Sequence, residues 1–542
     1  MVAFNLIDEP WIPVLRAGVR ELVSVRTALL DSHQITGLAP DFPPQTPALL
    51  RQVLLPVVLD AGIVARTSSS WAQWFASGQF DAAQSAALGE YLAQRHDRFD
   101  LFDWKRPFGQ VAGLAAVNGE TKSVGQLIAP IAMGNNVPLL TAFTDADDLA
   151  LPPAQAALWL LHAQCWDTAG IKTGAVGDGQ VQAGKTTGNR TGPLGGMGVV
   201  VPTGRTLFAT ILLNLPIRSD GLDPGDRPQW DREQTASWSL RPATGLLDLF
   251  TWQSRRIRLI SEDSDPGVVV NRVVITAGDR LPDGLDPNFE PHTLWKRATA
   301  TKSEPSVIRP RRHAPGRAAW RGLDSLVAVS LPPDGEAVFT SRLLRQLAEL
   351  TADSRMPADY PVNVEVHGFK YGTQSSIFED NVFDVTPLPV LALSGDGEMR
   401  DAVLEIVEQA RRLEYAVNVL ADDLRRAVGG EAVPWDKGQR PGVDLIHALD
   451  PFARRLLADL RQATSEDQIE ELLVVWEKDV ASAASSVAEL LLGQQPPQAF
   501  LGRSSDEKRT YRAATAERSF RFRLAKTLPR ATGARASAQG EL

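Results

Sequence analysis

The most regular hydrophobic pattern of the chain lies in its last third. Val403, Ile406, Val407, Ala410, Leu413, Val417, Leu420 and Leu424 keep a spacing of three or four residues until Gly429 and Gly430 interrupt it. That period predicts an amphipathic helix. Three more helices are predicted over residues 444–463, 467–492 and 505–528; Ser505 is placed to cap the last, and Gly493, Pro496 and Pro497 end the one before it. Four helices joined by short or medium connections predict a bundle. Upstream, helical and strand periods alternate. Residues 46–63 (kinked at Pro56), 71–75, 82–93, 152–166 and 341–350 read as helices, and residues 256–260, 268–276 and 362–371 as strands. The apolar run 207–213 predicts a buried strand over residues 206–215. Residues 4–14 read as a short strand with Trp11 as a buried anchor, and residues 378–393 as extended chain. The fold class expected is α+β. A large mixed α/β N-terminal domain covers residues 1–395 and a C-terminal four-helix bundle residues 396–530; residues 531–542 form a small, polar, disordered tail.

Bulk composition leaves that picture intact and limits the function. The 542 residues carry 56 Lys and Arg against 65 Asp and Glu, a net charge of −9. Long-range attraction to a polyanion is therefore absent. Any contact with nucleic acid has to come from local basic surface, or from partners that supply the charge. The single cysteine, Cys165, excludes a disulfide framework and a cysteine-based zinc site, and fits a reducing cytoplasm. Its place on an apolar helix reads as a small buried hydrophobe rather than a nucleophile. Asp8, Glu9 and two prolines interrupt residues 4–14, so no signal peptide is expected; Arg51, Pro56 and Asp60 break the most apolar run, so no membrane span is expected either.

One stretch is compositionally unlike the rest. Residues 170–204 hold eleven glycines in thirty-five positions, with Lys172, Lys185, Arg190 and Arg205 at or near them and only Asp178 as an acid. Glycine at that density lets backbone approach a ligand closely and bare its N–H groups. With cations and almost no acid, the matching ligand is a phosphate or a nucleic-acid backbone and groove; the plainer reading is a solvated loop. Gly179, Gly184, Lys185 and Thr186 also satisfy the phosphate-loop pattern of nucleotide hydrolases. That motif needs a buried strand before it and a helix directly after it. Residues 173–178 are no hydrophobic strand, and residues 187–198 hold five glycines and a proline. A nucleotide-hydrolysing enzyme using Gly179–Thr186 is kept as the alternative.

No catalytic constellation stands out. His96-Asp97 lacks the further ligands that a metal phosphohydrolase needs, no G-x-S-x-G elbow occurs, and Asp422-Asp423 beside Arg425-Arg426 read as a solvated helix face. No metal or other cofactor is expected. The nucleic-acid signals are stronger. The run 295–321 carries eight Lys and Arg, among them Lys296, Arg297, Arg311 and Arg312, against Glu304, with Trp295 and Trp320 at its ends. The last helix presents Arg512, Arg518, Arg521, Arg523, Lys526 and Arg530. A basic helix face can track phosphates or be a solvated face of the bundle. Tyr371-Gly-Thr-Gln-Ser375 is a polar tip able to place an uncharged amide against bases.

The opening Phe4-Asn-Leu-Ile-Asp-Glu-Pro-Trp-Ile-Pro-Val14 resembles the N-terminal signature of the CasA family, the large subunit of the type I-E CRISPR Cascade surveillance complex. The resemblance continues in order through nearly the whole chain. Residues 98–110 resemble the family's aromatic loop, with Gly109 where a larger residue is usual. Gly134-Asn135-Asn136 resemble the start of a first DNA-facing loop, Gly170-Ile-Lys-Thr-Gly174 its glycine loop, and residues 367–378 the loop carrying a glutamine wedge. The resemblance implies a non-catalytic subunit that scans duplex DNA for a short protospacer-adjacent motif through the minor groove, where readout is degenerate and close backbone approach helps. Gly134, Asn135, Asn136, Gly170, Lys172, Thr173 and Gly174 would face the groove. Arg280 would be the basic finger, although the family carries Lys there. Thr373, Gln374 and Ser375 would be the wedge that parts the first base pairs for guide RNA pairing. Lys296, Arg297, Arg311, Arg312, Arg512 and Arg521 would touch phosphates. The implied partners are the other Cascade subunits, a CRISPR guide RNA, double-stranded target DNA and a helicase-nuclease. The cysteine cluster of some members is missing, so structural zinc is not carried over.

Overall fold

The computed structural model describes residues 3–131, 141–144, 147–265, 267–298, 307–330, 337–395, 397–434, 438, 440–504 and 510–531. The chain divides into two compact units. One takes in Met1–Arg317, Ala328–Pro357 and Val362–Val385, the other Ala318–Val327, Ala358–Pro361 and Thr386–Leu542. The fold is α+β, with the sheets gathered mainly in the first unit and long helices in the second.

In the first unit, helix α1 (Pro153–Trp166) is apolar on every side, and ten of its residues are buried, so it is a core helix rather than a surface one. It feeds directly into a hairpin of β1 (Gly170–Thr173) and β2 (Lys185–Asn189), followed by β3 (Val199–Thr203). β4 (Arg255–Ser264) and β5 (Gly267–Ala277) form a long antiparallel hairpin. β6 (Leu294–Arg297) pairs antiparallel with β7 (Ile308–Arg311). β8 (Val362–Tyr371) is central in a sheet with β3 and β9 (Phe378–Leu388). Trp11 is fully buried, its indole N–H on the Leu6 carbonyl at 2.9 Å.

Several expectations change; the last helix, for one, starts at Ala513, and the expected cap Ser505 lies outside the described residues. The run 207–213 is a helix, not a strand: Thr206 caps it, its hydroxyl accepting the Ala209 N–H at 3.2 Å. A short apolar run has no period to separate the two, and the cap decides it. Residues 45–60 are helical throughout, but the irregularity at Pro56 takes the form of a π-helical turn, Leu50–Leu54, between Gln45–Leu49 and Leu55–Asp60; it stands directly before the proline, which lacks the N–H that a regular ladder would use. Residues 390–393 leave the extended path for a 3₁₀ turn.

The second unit is built on α2 (Glu398–Ala427), α3 (Pro441–Leu460), α4 (Glu466–Gly493) and α5 (Ala513–Thr527). α2 packs against the other three, α3 against α4, and α4 against α5. Val403, Ile406, Ala410, Leu413, Val417, Leu420 and Leu424 of α2 are buried as their period predicts. Each of the Val, Ile and Leu side chains contributes roughly 1.5–3 kcal/mol on leaving water. Arg530, past the end of α5, has a side chain only 5% exposed that reaches Glu405 at 2.6 Å, Glu470 at 2.9 Å and Glu477 at 2.6 Å. It ties α2 to α4 and is taken out of the basic surface. Asp422 and Asp423 are buried rather than solvated, because Arg440 at the start of α3 inserts against Asp422 at 2.6 Å. Residues 318–327 join this unit through Trp320, whose indole N–H donates to Asp450 at 2.9 Å.

Candidate nucleic-acid interface

Several of the residues singled out for groove contact come together around the β1–β2 hairpin. Gly170 faces Asn189 across the ladder, and a bulge separates Gly170 from the Lys172–Thr186 pair. Gly170 has φ +126°, a conformation that L side chains rarely adopt, and open space where a Cβ would point, save Ser376 at 3.9 Å. Gly174 is different. It is buried, its N–H on the Gly184 carbonyl at 2.9 Å, and a Cβ there would run into Val181 at 2.5 Å. Gly174 is required by packing inside the turn.

Asp167, just past α1, anchors the hairpin. Lys172 Nζ is 2.7 Å from its carboxylate and Arg255 also pairs with it. Arg255 donates in addition to the carbonyls of Thr168 at 2.7 Å and Arg190 at 2.8 Å. Burial pushes the Asp167 carboxyl up, but Lys172 and Arg255 outweigh it and hold it at about 2. Lys172 shifts downward too: burial dominates there, and against the attraction of Asp167 Arg255 adds a like charge. The Lys172 ammonium is therefore neutralised within the protein, its side chain 17% exposed.

Arg280 projects from a pinned stretch. Its N–H donates to the Ser239 carbonyl at 2.9 Å, and Asp279 beside it accepts from Arg256 at 2.7 Å and Arg241 at 3.0 Å. The Arg280 guanidinium lies over the Trp238 ring at 3.5 Å and donates to the Thr187 carbonyl at 2.6 Å and the Asn189 side chain at 2.9 Å. A cleft of about 780 Å³ opens beside it, lined by Arg190, Arg255, Arg280 and Arg309 with Asp279 and Asp283. Arg190 grips Asp283 with both Nη atoms, at 2.8 and 3.1 Å. That pair is exposed, so it contributes little to stability.

The β8–β9 hairpin carries the polar tip. Thr373–Ser375 form a single 3₁₀ turn closed by the Ser375 N–H on the Gly372 carbonyl at 2.7 Å. Gln374 and Ser375 both sit at left-handed φ, +54° and +56°, a conformation costly for residues other than glycine. Gln374 is exposed, and its amide has no hydrogen bond to the described residues. The tip is bound to the glycine loop: Ala169 N–H donates to the Ser375 carbonyl at 2.8 Å, and Tyr371 at its base donates to the Trp166 carbonyl at 2.6 Å.

Other expected positions are placed apart or lie outside the described residues. Gly134, Asn135 and Asn136 lie outside them. Lys296 and Arg297 sit on β6, Arg311 ends β7, and the exposed Arg312 reaches over the Tyr371 ring at 5.8 Å. Trp295 and Trp320 are fully buried and offer no face to a base. Arg512 and the exposed Arg521 belong to the second unit, Arg521 2.7 Å from Glu517. The phosphate-loop pattern falls in the turn and second strand of the β1–β2 hairpin; Lys185–Asn189 are β2, so no helix N-terminus stands behind Lys185. That removes the geometry on which the nucleotide-hydrolase alternative depends. Sequence reasoning missed Asp167, Asn189, Trp238 and Arg255; only Asn189, beside Gly188 in the glycine-rich stretch, had a local signal. Among the described residues no helix is long and apolar enough to cross a membrane.

The model of the CRISPR-associated protein Cse1 family matches residues 5–487. The CRISPR-associated protein CasA/Cse1 of Thermus thermophilus is 27% identical over 94% of this chain and 99% of its own. The crystal structure of Thermobifida fusca Cse1 is 31% identical and covers 98% of this chain and 99% of its own, with a TM-score of 0.82. At 20% identity and a TM-score of 0.62, a chain of a CRISPR RNA-guided surveillance complex shares the fold over 97% of this chain and all of its own. The chain belongs to the Cse1 family of CRISPR-associated proteins, the family also called CasA.

Proposed function

We propose that the chain is the large, non-catalytic subunit of a type I-E RNA-guided surveillance complex in the cytoplasm. It recognises the protospacer-adjacent motif in double-stranded DNA, opens the first base pairs for the guide RNA, and recruits a helicase-nuclease. The observation that carries this reading is the hydrogen-bonded junction of three elements within the first unit. The open Gly170 backbone, the cationic Arg280 and the exposed Gln374 turn are joined through the β1–β2 hairpin, with the turn held by the Ala169–Ser375 hydrogen bond. Backbone that can approach a minor groove lies beside an arginine for its negative potential and an amide free to enter the space of a parted pair.

Family membership supports the assembly, and the resemblance of Gly170–Gly174 and Thr373–Ser375 to the glycine loop and wedge supports the division of labour. The test is reconstitution with the other subunits and a guide RNA. The complete complex should bind motif-bearing duplex far more tightly than a duplex with the motif scrambled, and Arg280→Ala should erode that preference. Equal binding of both duplexes by the wild-type complex would overturn the reading.

A further inference from the structure

We infer that Asn189 is a positioning residue that couples the finger, the glycine loop and the wedge into one responsive unit; the inference rests on the functional reading above. Asn189 is 5% exposed, and its carboxamide is engaged at both ends. Nδ2 donates to the Gly170 carbonyl at 2.9 Å and to the Thr186 carbonyl at 2.8 Å. Oδ1 accepts from Arg280 Nη2 at 2.9 Å.

The bulge between Gly170 and Lys172 breaks the ladder where the loop bares its backbone. The extra residue of a bulge is left unpaired and the ladder beside it is disrupted, so the neighbouring peptide needs another hold. The Asn189 amide supplies that hold and fixes the direction of the Gly170 peptide. One residue upstream, the Ala169 N–H carries the wedge turn through the Ser375 carbonyl, so Gly170 itself links the two bonds. On its other side the same amide holds Arg280 against Trp238. Arg280 Nε is buried with no hydrogen-bond partner among the described residues, and a Cβ on Gly188 would stand 3.2 Å from Nη1. The guanidinium is thus packed but not fully satisfied, which suits a group that can leave Asn189 for an acceptor in a DNA groove. When it leaves, the Asn189 oxygen loses its donor, the amide no longer fixes the Gly170 carbonyl, and the Ala169 N–H that supports Ser375, one residue away, loses its reference. Motif contact at Arg280 then reaches the wedge through three hydrogen bonds, Arg280–Asn189, Asn189–Gly170 and Ala169–Ser375, the last two joined by the chain at Gly170.

Two substitutions separate the two ends of the amide. Asn189→Ala removes both. Asn189→Asp keeps an acceptor for Arg280 but has no donor for the Gly170 and Thr186 carbonyls. The first readout is amide hydrogen exchange on the isolated full-length chain. Both variants should raise exchange at Ala169 and at residues 373–377 by about tenfold, the scale of a lost buried hydrogen bond, with β4 and β5 unchanged. The second is the ratio of affinities for motif-bearing and scrambled duplex in the reconstituted complex. Asn189→Ala should lower that ratio by about tenfold and leave scrambled-duplex affinity unchanged. Unchanged exchange at 373–377 in Asn189→Asp would overturn the coupling. So would a full motif preference in Asn189→Ala under conditions where Arg280→Ala loses it. A wild-type complex without motif preference would count against the functional reading alone, and the exchange measurement would still decide the role of Asn189.

Discussion

Gly170 and Gly174 stand four residues apart and meet opposite constraints. Gly170 has a backbone that only glycine adopts easily, with space in front of it; Gly174 has no space, because Val181 fills it. Gly170→Ala should therefore weaken binding to motif-bearing targets in the complex with little loss of thermal stability beyond the ~1–3 kcal/mol that a strained backbone costs. Gly174→Ala should instead lower the melting temperature, by an overpacking penalty of roughly 1–3 kcal/mol. Val181→Ala in the same chain should restore most of it. A Gly174→Ala protein of unchanged stability that loses motif binding would reverse the assignment. The glycine density was legible in the sequence; which glycine met a ligand and which met a side chain was not. That choice rests on Val181 closing back across the turn, a contact with no local signature. Gln374 was legible as a polar tip, whereas its left-handed backbone was not. Asn189 was invisible as a coupler because its three partners lie at residues 170, 186 and 280.

At the scale of elements, the β1–β2 hairpin depends on one carboxylate. The folded pKa of Asp167, about 2, lies below its ordinary value of 3.8. A depressed carboxyl pKa means that its stabilisation is complete above about 3.8 and is lost as pH falls through about 2, the unfolded chain binding the proton more readily. The difference amounts to roughly 2 kcal/mol at neutral pH. Asp167→Asn should destabilise the protein by at least that much at pH 7, since Lys172 and Arg255 lose their anion. The gap to wild type should close as pH drops from about 4 to about 2 in denaturant titrations. A constant gap across that range would show that Asp167 does not anchor the hairpin. Elements with long, clean periods were readable in advance: α2 to α4, α1, and the β4–β5 pair. Residues 206–215 were not, since seven apolar residues suit a strand or a helix equally until the Thr206 cap is seen. The Asp422 pair looked solvated because its neighbours in sequence are arginines; its partner, Arg440, comes from the next helix.

For the molecule as a whole, a net charge of −9 means that contact with DNA depends on local cations. Several of these are already paired: Lys172 with Asp167, Arg521 with Glu517, Arg530 with three glutamates. If Arg512 and Arg521 touch phosphates, each alanine variant should lower the slope of log affinity against log salt by about 1 and leave motif preference untouched. An unchanged slope would place both on a solvated helix face.

The central claim is that motif reading and strand opening share one junction, with Gln374 as the group that enters the parted pair. Disrupting the first base pair costs about 1–2 kcal/mol per stacking step, which a planar amide against base edges partly offsets. The direct measurement is the rate of opening beside the motif, followed with a fluorescent base analogue in the reconstituted complex. Wild type and Gln374→Ala are compared on an intact duplex and on a target carrying a pre-melted bubble at the same place. A several-fold slowing by Gln374→Ala on the duplex, largely absent on the bubble, is the predicted result. Equal effects on both targets, or none on either, would contradict the account and leave Gln374 as a turn residue.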